Sequence, residues 1–295
     1  MVEKASSQYP RLKDLCQRHD IRFKKALGQN LLLDDNINAI MVDAAGLTEE
    51  DSVIEVGAGL GALTRRLLTQ AGRVLSLEID ASFMPCLEEQ FGDKANVQLF
   101  RGDILNHELE DLIKEYLPEA TRLKMVSNLP YYITTPVLFH FLESPVYFER
   151  LVVMTQLEVG ERLTAPVNSS NYGALSLAAR LYAETDIVHR VPASCFLPRP
   201  KVDSCIVRFR CRKEPPLPGM DIAKTMRVVR GAFGKRRKTL RNTLTGGMLG
   251  LSREQAIEAL ELAGIDQSRR AQTLDWREFA TLTKAIQETT TKHTE

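Results

Sequence analysis

The chain has 295 residues, with 39 Lys and Arg against 38 Asp and Glu, 44% hydrophobic and 26% charged. These proportions are ordinary for a soluble globular protein, and no apolar run approaches the roughly 20 residues of a membrane span. The five cysteines, Cys16, Cys86, Cys195, Cys205 and Cys211, form no Cys-x-x-Cys pair, so neither a disulfide framework nor a zinc site is expected, and a reducing compartment is.

The polar N-terminus lacks a signal peptide's apolar core, and it is less Arg- and Ser-rich than a transit peptide. A cytoplasmic protein is expected. Asp34 to Ala45 reads as a helix with Ile37, Ile40, Met41 and Ala44 on one face and Gly46 as its stop. Strand and helix then alternate. Strands are expected near 52–56, 73–78, 97–101, 123–127 and 151–155, with helices around 60–70, 82–91, 107–116 and 136–142. That order predicts an α/β, Rossmann-like parallel sheet with helices on both faces. Two later apolar runs, 187–191 and 204–209, flank a proline-rich loop and read as a closing antiparallel pair. Glu214-Pro215-Pro216-Leu217-Pro218-Gly219 is a break. Beyond it the pattern is helical, over 222–233, 239–244, 253–263 and 276–286, with Gly264 as a stop and Asp275 as a cap. The reading is one α/β domain over 1–213 with a basic N-terminal arm, and a small all-α domain over 214–295.

Charge is uneven along the chain. Seven basic residues stand against three acids in the first 25 positions, and twelve against two between Arg208 and Arg241. Lys235-Arg236-Arg237-Lys238 is unbroken. Two basic clusters in a nearly neutral chain suggest a polyanion, and nucleic acid in particular. The competing reading is a solvated helix face.

The chemistry starts at Glu55-Val56-Gly57-Ala58-Gly59-Leu60-Gly61. Glycines between a strand and a helix let the backbone approach a ligand and aim free N–H groups at it. Glu78 ends the next apolar run about 20 residues on, where a carboxylate meets a ribose hydroxyl. The expected ligand carries an adenosine. The third glycine comes one residue earlier than in the dinucleotide fingerprint, and Glu55 sits inside the strand. A carboxylate there is unwelcome beside a pyrophosphate but useful beside a cationic ligand such as S-adenosylmethionine.

Further strand-end loops carry Glu78-Ile79-Asp80, Gly102-Asp103-Ile104 and Asn128-Leu129-Pro130-Tyr131. Asp103 is placed to accept from an adenine amine with Ile104 against the ring, or to cap the next helix. Asn128 and the carbonyl of Leu129, held extended by Pro130, form two acceptors side by side. Two acceptors suit a target –NH2. Accepting both hydrogens pyramidalises the nitrogen and localises its lone pair toward an electrophile. Tyr131 supplies a face on which a base can stack. A structural Asn in a tight turn is the competing reading.

These residues resemble the KsgA-type ribosomal RNA adenine dimethyltransferases. The resemblance runs from Lys24 to Phe279. It includes Lys25 to Asn30, Glu55 to Gly59, Asn128 to Tyr131, Gln156 to Arg162, Tyr172 to Ser176, Phe196 to Ser204 and Arg236 to Asn242. It departs at Leu31, where Phe is usual, and at Leu157, where Lys is usual. The resemblance implies a class I methyltransferase fold, S-adenosylmethionine as cofactor and no metal. Gln29, Asn30 and Leu32 would touch the cofactor, Glu55, Gly57 and Gly59 would cradle it, Glu78 and Ile79 would hold the ribose side, and Asp103 and Ile104 the adenine. Asn128, also beside the cofactor, and Leu129 would grip the target amine, and Tyr131 and Phe196 would sandwich an everted base. Lys24, Lys25, Arg199, Lys201 and Lys235 to Lys238 would meet RNA.

The implied reaction is S-adenosylmethionine-dependent dimethylation of two adjacent adenines in the 3′-terminal hairpin of small-subunit rRNA, on an assembling subunit and by a monomer. Two relatives offer different readings: a large-subunit rRNA methyltransferase of the macrolide-resistance type, and a non-catalytic RNA-binding assembly or transcription factor. A nicotinamide dehydrogenase is disfavoured by the early third glycine.

Overall fold

The computed structural model describes residues 9–22, 24, 30–235 and 237–292. Helix α1 (Tyr9–Arg18) and the two-residue strand β1 (Leu31–Leu32) precede α2 (Asp35–Ala45). Then come β2 (Asp51–Val56), α3 (Ala62–Leu67), β3 (Arg73–Glu78), α4 (Met84–Phe91) and β4 (Val97–Arg101). They are followed by α5 (Leu109–Tyr116), β5 (Arg122–Asn128), α6 (Thr134–Leu142) and β6 (Arg150–Gln156). Next are α7 (Leu157–Thr164), α8 (Ala174–Tyr182), β7 (Ala183–Val191), the short β8 (Phe196–Leu197) and β9 (Ser204–Cys211). Helices α9 (Ile222–Phe233), α10 (Leu240–Leu244), α11 (Arg253–Leu262) and α12 (Trp276–Lys292) end the described chain.

Seven strands form one sheet in the order β4-β3-β2-β5-β6-β9-β7. Strands β2 to β6 pair in parallel, and β9 runs antiparallel to β6 from Arg150↔Arg210 to Gln156↔Ser204. Every residue of β2 is buried, as a central strand covered on both faces requires. Burying a Val53 or Ile54 side chain in this way contributes about 1.5–3 kcal/mol. Successive strands step from β2 to β3 and β4 on one side, and to β5 and β6 on the other. The order reverses between β2 and β5, so a crevice opens outside the carboxyl ends of those strands.

Local chemistry sets the element ends. Asp34 caps α2 by accepting from the Asn36 N–H, and Gly46 ends it with φ of 55°. Five elements go beyond the expectations. Helix α1 is an ordered amphipathic helix, with Leu12 and Leu15 in the core. Its Arg18 pairs with Glu89 of α4, and Arg11 reaches Gln90 at 3.2 Å. Strands β1 and β8 form a separate ribbon, with Leu31 opposite Leu197 and Leu32 opposite Phe196. Helices α7 and α8 occupy residues with no assigned element.

The chain divides into two compact units, the described residues of 1–160 with 186–211, and those of 161–185 with 212–295. The division differs from the single break expected after residue 213, because 161–185 cluster with the C-terminal helices. In that second unit Phe233 lies 6.0 Å from both Tyr172 and Phe279, and the buried Tyr172 hydroxyl donates to the Leu274 carbonyl at 2.9 Å. Asp275 and Glu278 form a reciprocal cap on α12, at 2.9 and 3.0 Å. Among the described residues no helix is long and apolar enough to cross a membrane.

Candidate functional site

The turn after β2 takes three left-handed residues in five, Gly57 at φ 81°, Gly59 at 56° and Gly61 at 74°. An L side chain at these angles costs roughly 1–2 kcal/mol. The glycines serve different ends. A Cβ on Gly61 would sit 2.3 Å from the Phe91 ring, so this glycine admits α4. A Cβ on Gly59 would meet open space, because Gly59 lines a cavity. Gly57 and Ala58 spend their N–H groups on the Leu77 carbonyl, at 2.8 and 3.0 Å, which ties the turn to β3.

That cavity, of about 200 Å³, is built from the loops that follow β2, β3, β4 and β5, roofed by residues of β1 and β8. Glu55 lies beneath the turn, 1% exposed. Its Oε2 accepts from Thr64 Oγ1 and Ser76 Oγ, both at 2.6 Å. Its Oε1 is buried with no hydrogen-bond partner among the described residues, although the side chain borders the cavity. Burial, only partly offset by those two hydroxyls and reinforced by the nearby Glu78 charge, pushes the Glu55 carboxyl up to about 7.

Glu78 ends β3 and is 5% exposed. Its two oxygens accept from the Gly59 and Asp80 N–H groups, each at 2.8 Å. Burial raises its carboxyl above the ordinary value despite those bonds. Each oxygen keeps a further lone pair for a hydroxyl donor. Ile79, beside it, is 49% exposed at the rim. Asp103 Oδ1 accepts from the Leu105 N–H at 3.0 Å, so Asp103 does cap the short 3-10 turn that follows. Its Oδ2 carries no hydrogen bond among the described residues. Buried Ile104 adds an apolar wall.

Asn128 is the last residue of β5, half-buried. Its side chain makes no hydrogen bond to the described residues and borders the cavity. Leu129 is buried, and the Pro130 carbonyl accepts from the Ile133 N–H and Thr134 Oγ1, both at 3.1 Å, which fixes the turn. The Tyr131 hydroxyl lies 2.7 Å from Ser204 Oγ at the start of β9. Burial, partly countered by that bond, raises its phenol. Phe196, opposite Leu32 in the ribbon, is only 3% exposed and packs with the core while bordering the same cavity.

The cavity thus gathers Asn30, Leu32, Glu55, Gly57 and Gly59 with Glu78 and Ile79. Asp103, Ile104, Asn128, Leu129, Tyr131 and Phe196 line it too. Gln29, Lys25 and Arg236 lie outside the described residues. Lys24 donates to Asp80 Oδ1 at 2.7 Å. Arg199 and Lys201 are exposed on the loop after β8, and Lys235, Arg237 and Lys238 are exposed in the second unit. Among the described residues no group of three or more His, Cys, Asp or Glu could hold a metal ion.

Leu12, Asn38 and Tyr132 also line the cavity and were not anticipated. Leu12 could be found from the Leu12–Leu15 spacing of an amphipathic helix. Asn38 is 1% exposed, and the signal was a polar residue within the apolar run of α2.

The sequence model described as "Ribosomal RNA adenine dimethylase" matches residues 20–288. A protein named ribosomal RNA small subunit methyltransferase A, from Alkaliphilus metalliredigens, is 41% identical over 93% of this chain and 95% of its own length. The crystal structure of a dimethyladenosine transferase from Plasmodium falciparum superposes with a TM-score of 0.75, at 24% identity over 88% of this chain and 98% of that one. That of the 23S rRNA methyltransferase ErmE gives 0.66, at 27% identity over 87% and 99%. A strand-end cavity with a glycine turn, a buried carboxylate and an Asn-Leu-Pro-Tyr loop therefore coincides with a match across nearly the whole chain, which belongs to the ribosomal RNA adenine dimethylase family.

Proposed function

We propose that this family member transfers methyl groups from S-adenosylmethionine to the N6 amines of two adjacent adenines in the 3′-terminal hairpin of small-subunit rRNA, twice per base, during subunit assembly. The observation that carries the reading is a single cavity bordered by both Glu55 and Asn128. The residues fit the cofactor. Glu55 Oε1 is buried with no hydrogen-bond partner among the described residues, beside a glycine turn open to a ligand, which suits a cationic group. S-adenosylmethionine supplies an electrophilic methyl group when bound.

Glu55 would face the cationic methionine end, Gly57 and Gly59 would pass beneath it, and Asn30, Leu32 and Gln29 would close over it. Glu78 would accept from the ribose, with Ile79 alongside, and Asp103 Oδ2 from the adenine amine over Ile104. Asn128 Oδ1 and the Leu129 carbonyl would take the two hydrogens of the target amine, raising its nucleophilicity and holding it in line. Tyr131 would carry the everted base, its angle set by Ser204. Phe196 would close the other face once the β1–β8 ribbon parts, because in this structure its ring is nearly covered. The methylated nitrogen is acidic and loses its proton to water or to the acceptor carbonyl, so neither a strong base nor a metal is required.

Lys24, Lys25, Arg199 and Lys201, with Lys235, Arg236, Arg237 and Lys238 of the helical unit, would meet the rRNA backbone. A monomer acting in the cytoplasm is the fitting context. The 41% identity to a small-subunit enzyme outweighs the 27% to a large-subunit one. The test is incubation with labelled methyl donor and either immature small subunits or protein-free large-subunit rRNA, followed by mapping. Paired dimethyladenosines in the small subunit are expected. Label in the large-subunit rRNA, or none in either, would overturn the reading.

A further inference from the structure

Tyr131 and Tyr132 are consecutive, yet the structure treats them differently. Tyr131 is partly buried and held by Ser204 at 2.7 Å. Tyr132 is 55% exposed, more than almost any other large apolar or aromatic residue in the described chain, and its ring and hydroxyl make no hydrogen bond or ring contact with described residues. It nevertheless borders the same cavity as Asn128. The only distinctly exposed large apolar residues of the β8–β9 segment, Leu197 at 41% and Val202 at 46%, belong to the loop that also bears Phe196, Arg199 and Lys201.

Leaving a large aromatic face in water forgoes the burial free energy it could contribute. A single exposed aromatic is ordinary on a surface; beside Asn128 at the cavity, this one has a face free for a ligand. The chemistry of the substrate identifies that ligand. Everting one base from a strand strips a stacking partner from the next base, and uncovering that face costs a few kcal/mol. A free π-face restores it at about 1–3 kcal/mol, whatever the identity of the base.

We infer that Tyr132 is a positioning residue that stacks on the nucleobase adjacent to the everted adenine, holding the RNA strand in register while its neighbour occupies the Asn128 loop. This rests on the base-eversion reading above. The face would be aromatic and not hydrogen-bonding in its demand, so the hydroxyl is dispensable and the ring is not. For two adjacent targets, the stacked neighbour is the other target adenine in at least one of the two rounds.

The test is a substitution series assayed on immature small subunits. Tyr132→Phe and Tyr132→Trp should keep kcat/KM for subunits within about two-fold. Tyr132→Ala and Tyr132→Leu should lose roughly five- to hundred-fold, mainly in KM, with S-adenosylmethionine binding unchanged. Leu keeps bulk and apolarity, so its failure separates stacking from packing. A second readout uses subunits whose rRNA carries 2-aminopurine beside the target. Its fluorescence should be quenched by wild-type and Tyr132→Phe enzyme and not by Tyr132→Leu. Full activity in Tyr132→Leu, or quenching that survives it, would overturn the inference. Wild-type turnover in Asn128→Ala would instead remove the underlying site reading, so the two failures are distinct.

Discussion

At the scale of single residues, the proposed chemistry would rest on Glu55 and Asn128, which border one cavity. An isolated Glu ionises near 4.5, and the folded protein holds Glu55 near 7. Between those values the unfolded chain releases a proton that the folded chain keeps. The stability linked to Glu55 is therefore fully present below pH 4.5, falls as pH rises through 7 and then levels off. The span corresponds to about 3 kcal/mol. Thermal melts of the ligand-free protein from pH 4.5 to 8 should show this loss, and Glu55→Gln should flatten it. A cationic ligand beside Glu55 favours the carboxylate. Binding of S-adenosylmethionine at pH 6 should then release close to one proton, measured by calorimetry in buffers of different ionisation enthalpy, and Glu55→Gln should abolish the release. Asn128 is the reaction's own test. Asn128→Ala would remove one of the two proposed acceptors and should lower kcat by about 10²–10³-fold, with a smaller effect on cofactor affinity. Single-turnover methylation alongside a cofactor titration checks the split.

The glycine turn and the buried ion pair illustrate what elements do. Gly59→Ala and Gly61→Ala both force an L residue into the left-handed region, but only Gly61 would also drive a Cβ into Phe91. Gly61→Ala should therefore lower Tm well beyond Gly59→Ala, while Gly59→Ala should lose cofactor binding at modest cost in stability. Melts and titrations on the two variants separate these roles. At the opposite end of β5, Lys124 is 1% exposed and bonds Asp51 at 2.9 Å and the Gly46 carbonyl at 2.8 Å. Burial alone would raise the Asp51 carboxyl, yet hydrogen bonds from Lys124 and Thr48 hold it below its ordinary value. This cluster ties the end of α2 to β2 and β5, far along the strand from Asn128. Lys124→Ala leaves Asp51 only its Thr48 hydrogen bonds and Arg122 at 3.3 Å, and should cost up to about 3–5 kcal/mol in denaturant unfolding.

At the scale of the whole molecule, two units differ in kind: a sheet that forms the cavity, and a helical unit with an exposed basic run. If that run meets rRNA backbone, the logarithm of the affinity falls linearly with log salt. A Lys235→Ala/Arg237→Ala/Lys238→Ala variant should reduce that slope by roughly 2–3 and leave S-adenosylmethionine binding intact. Subunit binding measured across a salt series reads the slope.

The alternation from β2 to β6, the glycine turn, the acid at Glu78 and the Asn128 loop were legible from residue order alone. They obey rules of two- and 3.6-residue periodicity and of glycine and proline backbone that act within a few neighbours. Ribbon β1–β8 was not legible, because each strand has two residues and exists only through a partner some 165 positions away, as Leu31 opposite Leu197 shows. Nor were the grouping of residues 161–185 with the C-terminal helices, the partial covering of Phe196, or the difference between Tyr131 and Tyr132. The sequence put a carboxylate at position 55; only folding buried it, raised it to about 7 and left its Oε1 without a partner among the described residues. Desolvation and contact depend on what distant segments bring near, and no local pattern encodes that.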